Sequence, residues 1–314
     1  MPETTKTLPD RVRELAARCQ EVLASHEFRA VAGIAAGLHL ARTELGDLVS
    51  STARSGLPLE RWRMLAEACE REGIPESRFV PQRFLLLTVG MERLSDVPDL
   101  PVVQAVKEKL LEQFHFVCSP DRETDQLLNP TRYGFRAMCR FMLLQRFPAG
   151  QIDWEVSGFP RSWVARVPRR HLPAVMRCVL LRAGGRAPWF DAHTGFRREL
   201  PILSEEEERK AYRLMAASMR MQPSILGFMG SSWFADPSLA RVSPHLAWLS
   251  AWYRECVDYG AVWTDIGEAH RDDGFLTGDR KRRRLYEAGQ WKPRVGLVLW
   301  PRKDVLRWLA DNGG

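Results

Sequence analysis

No run of about 18 apolar residues occurs anywhere in the sequence, so no membrane-spanning helix is expected. Cysteine is sparse. Cys19, Cys69, Cys118, Cys139, Cys178 and Cys256 stand at wide intervals without a single CxxC pair, which argues against a structural zinc site or a dithiol motif. Several occupy apolar positions of helical patterns, so they are expected to be reduced thiols acting as small hydrophobes. The first residues, Met-Pro-Glu-Thr-Thr-Lys, lack the apolar stretch of a secretory leader, and the cytoplasm is the expected compartment. There is also no internal repeat, no low-complexity linker and no G-x-S-x-G turn of a nucleophilic serine.

What remains is an ordinary globular composition, 45% hydrophobic and 27% charged over 314 residues. That length accommodates two domains with full cores. The formal net charge is +7 and the isoelectric point near 9.3. A basic balance favours an anionic partner, and nucleic acid, a phosphate-bearing cofactor and an acidic carrier protein all fit.

The first half reads as helices. From Asp10, taken as an N-cap, Val12, Leu15, Ala16, Cys19, Val22 and Leu23 recur at three- and four-residue spacings and mark one helix face. A second helical stretch covers 27–50, interrupted by Gly33 and Gly37. A third runs from Pro58 to Gly73, and others are expected around 78–95, 101–117 and 131–145. Near residue 148 the texture changes. In "QIDWEVSGFPRSWVARVP" two alternating runs flank Ser157-Gly158-Phe159-Pro160, the pattern of a strand pair joined by a turn. Helical and extended segments then alternate to the end. The expectation is an α+β protein with a helical domain over 1–147 and a mixed-sheet α/β domain over 148–314.

Four segments in the last 90 residues, "SILGFMGSSWF", "SPHLAWLSAWYREC", "AVWTDI" and "RRRLYEAGQWKPRVGLVLW", follow one another as strand, helix, strand, and helix running into a final strand. This order, with Leu285, Tyr286, Glu287 and Gly289 of the "LYEAG" helix end, resembles the GNAT superfamily of acyltransferases. The resemblance covers under a third of the chain. It implies an acyl-CoA or other acyl thioester donor, with Tyr286 as the acid that protonates the leaving thiolate. Where the family carries a glycine-rich pyrophosphate turn, this chain has "ADPSLARVSPH" over 235–245, without glycine. Phosphate recognition is therefore expected on side chains, and an acyl carrier protein or an aminoacyl-tRNA is a fitting donor. Arg280, Lys281, Arg282, Arg283 and Arg284 supply the charge, with Trp233 as a further donor contact.

Other residues carry chemistry of their own. Gly230, Ser231, Ser232, Trp233 and Asp236 sit at the end of a strand, where α/β sheets place their binding crevice. Ser231 and Ser232 are candidate donors to a carbonyl oxygen, and His193 or Asp236 is the candidate base for an amine. Asp191 and His193 share one side of an extended segment. With His171, His245 or His270 they would make a metal-dependent oxygenase, a reading weighed below acyl transfer, for which no metal is expected. Asp153 and Glu155 alternate with Ile152, Trp154 and Val156 and read as the wet face of a strand. Gly33 and Gly37 have the spacing of a helix-turn-helix, but Thr43 stands where an apolar residue is needed. A non-catalytic nucleic-acid-binding protein is the alternative function.

Overall fold

The computed structural model describes residues 6–40, 45–47, 49–50, 60–74, 79–119, 128, 133–194, 203–269 and 279–313. The chain divides into two compact units, Met1–Leu100 with Gln104–Phe147, and Pro101–Val103 with Pro148–Gly314. Helices come first and a six-stranded mixed sheet follows, so the protein is α+β. Among the described residues no helix is long and apolar enough to cross a membrane.

The helical unit contains α1 (Leu8–Leu23), α2 (His26–Gly37), α3 (Glu60–Arg71), α4 (Val80–Leu94), α5 (Gln104–Cys118) and α6 (Tyr133–Met142). The first helix starts earlier than its apolar pattern announces. Thr7 is the N-cap and Asp10 the third residue of a capping box, each side chain bonding the other's backbone amide. Helix α4 is buried along most of its length, with Leu85, Leu86 and Leu87 inside the core that α1, α2, α5 and α6 close around it. Helix α2 ends at Gly37, and the Thr43 and Pro58 positions lie outside the described residues.

The sheet has the order β1-β2-β3-β4-β6-β5, from β1 (Arg146–Pro148), β2 (Ile152–Ser157), β3 (Trp189–Thr194), β4 (Gly227–Ser232), β5 (Val262–Glu268) and β6 (Arg294–Pro301). Strands β2/β3, β4/β6 and β5/β6 pair antiparallel, and β3/β4 pair parallel. A parallel pair needs a crossover, supplied by α9 (Glu205–Arg220) after the short α7 (Arg161–Arg166) and α8 (Leu172–Met176). Its four leading glutamates follow the Ser204 N-cap and suit the helix dipole.

The expected strand pair around Ser157–Pro160 is not formed. The second run, from Arg161, is the helix α7, and β2 pairs with β3 instead. Trp163, Val164 and Val167 satisfy a helical face as well as an alternating one, and the packing of Phe159, Trp163 and Val167 on Trp189 and Met229 selects the helix.

The two faces of the sheet are covered differently. On one, Phe190, Phe228 and Trp300 lie in register across three strands, and Tyr212, Trp252 and Trp308 pack over them at ring-centroid separations of 4.9–6.4 Å. These rings come from α9, from α11 (Ala247–Asp258), which follows the four-residue α10 (Leu239–Val242), and from α13 (Arg302–Asp311), the last helix. Arg209 of α9 grips Glu255 of α11 through both nitrogens at 2.8 and 2.5 Å, and the Trp308 indole donates to the same carboxylate at 2.9 Å. The other face packs on α7, α8 and the π-helical segment Arg177–Arg182. Between β5 and β6 lies α12 (Arg280–Glu287), the helix with the basic run.

Candidate functional site

The β3/β4 pairing covers only two partner positions, Phe190 with Phe228 and Asp191 with Met229. The flanking β2/β3 and β4/β6 ladders each cover six. The parallel strands are joined at their start, where the Leu226 amide donates to the Pro188 carbonyl at 2.8 Å, and their ladder ends before their carboxyl ends. Two residues past the last pair, His193 of β3 and Ser231 of β4 fall on one face and at equivalent positions. They stand on opposite sides of the segment that carries no ladder. A Cβ on Gly230 would come within 3.2 Å of the Ala192 carbonyl oxygen, so the backbones still approach closely one residue past the last pair.

His193 stands among carboxylates. Its Nε2 is 3.7 Å from Glu155 and 3.7 Å from Asp191, and Asp153 is its register partner across β2. Asp153 and Glu155 were expected on a wet face, yet they are 1% and 6% exposed, while Val156 is 46% exposed. Alternation by itself does not say which face is buried. The signal lay across the strands: Asp153 and Glu155 oppose His193 and Asp191, so four ionisable groups share one face. Among the described residues no three His, Cys, Asp or Glu side chains form a metal-ligating group. His171 bonds Thr264 at 2.8 Å, His245 lies exposed in a 3-10 turn, and His270 lies outside the described residues.

The segment leaving β4 shows which strand-end residues are committed to structure. The Ser232 hydroxyl accepts from the Phe234 amide at 3.1 Å and caps the turn Trp233–Ala235. Asp236 is 3% exposed, and its carboxylate accepts from the Ser238 amide and hydroxyl, both at 2.8 Å, and from the Arg294 amide at 3.0 Å. Those bonds fix the β4 exit onto β6, so Asp236, expected as a candidate base, also holds the local structure. Gly296 makes the same approach possible, because a Cβ there would lie 2.6 Å from the Ala235 Cβ. Ser231 is left exposed on the strand end.

The basic run separates by helical phase. Arg282 is buried, its guanidinium 3.0 Å from Asp279, 3.1 Å from the Ser243 hydroxyl and 5.3 Å from the Trp233 ring centroid. Burial pulls its pKa down from the usual arginine range. Asp279 is the N-cap, accepting from the Arg282 amide at 3.0 Å. Burial opposes its ionisation, but that amide, the guanidinium and Ser243 hold its carboxyl below the usual range. Arg280, Lys281, Arg283 and Arg284 are exposed, so the run is one buried clamp and four outward cations. Arg282 and Trp233, both expected as donor contacts, pack against each other. Tyr286 and Leu285 pack half-buried on the cluster of Trp233, Leu246 and Trp291. The basic helix and the β4 exit are therefore one neighbourhood. No protein-family model matches the chain, and no curated protein or solved structure matches it either.

Proposed function

We propose that the sheet unit is an N-acyltransferase with a GNAT-like sheet, moving an acyl or aminoacyl group from a phosphate-bearing donor to an amine. The observation that carries this reading is the short ladder between β3 and β4, with His193 and Ser231 at equivalent positions beyond it. Backbone groups released from a ladder can bind an extended acyl or peptide-like chain, and this ladder stops short of the carboxyl ends of the parallel strands, where α/β sheets bind ligands.

In this reading the Asp153, Glu155 and Asp191 carboxylates attract the acceptor as an ammonium ion. His193 takes its proton, and the two carboxylates 3.7 Å away stabilise the imidazolium that forms. The free amine attacks the acyl carbonyl, and the Ser231 hydroxyl with the freed strand amides supports the oxyanion. Collapse expels the thiolate of a thioester, or the ribose hydroxyl of an aminoacyl-tRNA, and Tyr286 is the candidate acid for that step. The first turn of α9, which follows β3, already holds four glutamates. A phosphate gains nothing from that helix start, so its charge falls to Arg280, Lys281, Arg283 and Arg284.

The test is transfer from acyl-CoAs and aminoacyl-tRNAs to a panel of amines. His193→Ala should lower kcat/KM by about 10² to 10⁴ with little change in donor affinity. If His193→Ala and Tyr286→Phe both left turnover of an identified substrate intact, the assignment would be lost. The four outward cations favour a second reading, binding of nucleic acid without catalysis. It predicts an affinity falling linearly in log salt and no dependence on His193.

A further inference from the structure

The helical unit holds a pair of thiols that the proposed transfer does not use. Cys19 on α1 and Cys118, the last residue of α5, are separated by 99 positions in sequence, yet their Sγ atoms lie 3.0 Å apart. Both side chains are buried, at 0% and 4% exposure. Contact between two thiols at this distance is closer than sulfur packing alone provides, and a disulfide needs a further approach to about 2.05 Å with a dihedral of about 90° across the bond.

We propose that Cys19 and Cys118 are an oxidation site, at which a hydroperoxide-class oxidant converts the two thiols into a disulfide tying α1 to the end of α5. The positive charges beside the pair, Arg18 and Arg83, favour Cys118 as the attacking atom. One of the two thiols donates a hydrogen bond to the other, and this bond, with the positive charges of Arg18 and Arg83, lowers the Cys118 pKa against the opposing effect of burial. The Cys19 pKa is raised by the same contact. Arg83 is placed by a hydrogen bond to the Ser119 carbonyl, one residue beyond the thiol. The Cys118 thiolate is thus the nucleophile, and Cys19 resolves the product.

The chemistry balances. The Cys118 sulfur attacks one peroxide oxygen, the O–O bond breaks, and the departing hydroxide takes up the thiol proton to leave as water, giving a sulfenic acid. The Cys19 sulfur then attacks the sulfenic sulfur, the S–O bond breaks, and the hydroxide leaves with the Cys19 proton as a second water. Two thiols and one hydrogen peroxide give one disulfide and two waters. The closed loop is about 100 residues long, in the range where a cross-link constrains the unfolded chain most.

The experiment treats the reduced full-length chain with hydrogen peroxide, alkylates the remaining thiols under denaturing conditions and maps tryptic peptides by mass. The expected product joins the peptide 19–29 to the peptide 110–122 with two hydrogens fewer than the sum of the two thiol peptides. Cys69 and Cys139 of the same unit, buried but without a thiol neighbour, should remain alkylated and oxidise at least about tenfold more slowly. The helical unfolding midpoint should rise by about 5 °C or more on cross-linking. In Cys19→Ala the reaction should stop at a Cys118 sulfenic acid that dimedone traps. Alkylation of Cys19 and Cys118 as complete as that of Cys69 and Cys139 after peroxide treatment would overturn the proposal, as would cross-links to other cysteines in equal yield. Should the variant fail to fold, the wild-type peptide map alone decides.

Discussion

At the scale of single residues, the most consequential carboxylate outside the site is Glu208. It is fully enclosed in the first turn of α9, its Oε2 accepts from the Gln151 side chain at 2.8 Å, and burial pushes its pKa up to about 7. Folding therefore favours the protonated form. The contribution to stability is full below the unfolded value near 4.5, falls as pH rises from there towards 7, and is flat above. Glu208→Gln should match the parent near pH 4 and exceed it at pH 8 by up to about 3 kcal/mol, a difference urea titration resolves. Equal stability at pH 8 would mean that the carboxylate is ionised without penalty. In sequence, Glu205 to Glu208 read alike as one acidic helix start, and nothing in the pattern separates the inward residue. The same blindness hid Asp153 and Glu155, because hydropathy patterning assigns charge to the outside, whereas these two face inward with His193 and Asp191.

At the scale of elements, the "RKRRRLYEAG" helix was legible in the sequence and its internal division was not. The run begins where a helix already presents positive backbone charge. Asp279 caps it and takes Arg282 as a buried partner, and the other four cations remain outside. Arg282→Gln should cost about 2 kcal/mol, because Asp279 keeps its burial and loses its partner. The quadruple change of Arg280, Lys281, Arg283 and Arg284 to Gln should leave the unfolding midpoint within a degree or two. It should flatten the dependence of log K on log salt for a single-stranded polyanion by about 3. A midpoint loss as large as that of Arg282→Gln would show that the four cations are structural. Gly296→Ala tests the neighbouring β4 exit. A Cβ 2.6 Å from Ala235 and 2.7 Å from the Trp263 indole nitrogen should cost about 1 to 3 kcal/mol and move Ser231 with the strand end. Glycine within a strand pattern signals close approach in general, but which backbone approaches is decided by a turn 60 residues earlier.

At the scale of the whole molecule, the change of texture near residue 148 is visible in the sequence, because tryptophan and alternation become frequent there, and the two compact units divide between Phe147 and Pro148. Ten of the 11 tryptophans follow it, with Trp62 the exception. Tryptophan fluorescence therefore follows the sheet unit, and far-ultraviolet circular dichroism weights the helical unit. Each unit has its own core, so the two signals are expected to unfold at different midpoints, and coincident transitions would show a single cooperative block. Less legible was the strand order. Nothing local to "WFDAHT" or "GFMGSS" announces that they lie side by side, since that adjacency depends on the right-sized crossover of α9 and on the aromatic layer above Phe228. Their short ladder has a consequence for hydrogen exchange. Successive amides in a strand point to opposite neighbours, so past Asp191 and Met229 the amides turned towards the β3/β4 seam lie beyond its ladder, while those between face β2 or β6. Protection along 192–194 and 230–232 should therefore alternate with a period of two, a pattern that uniform fraying does not produce and that an acyl chain lying between the strands would erase.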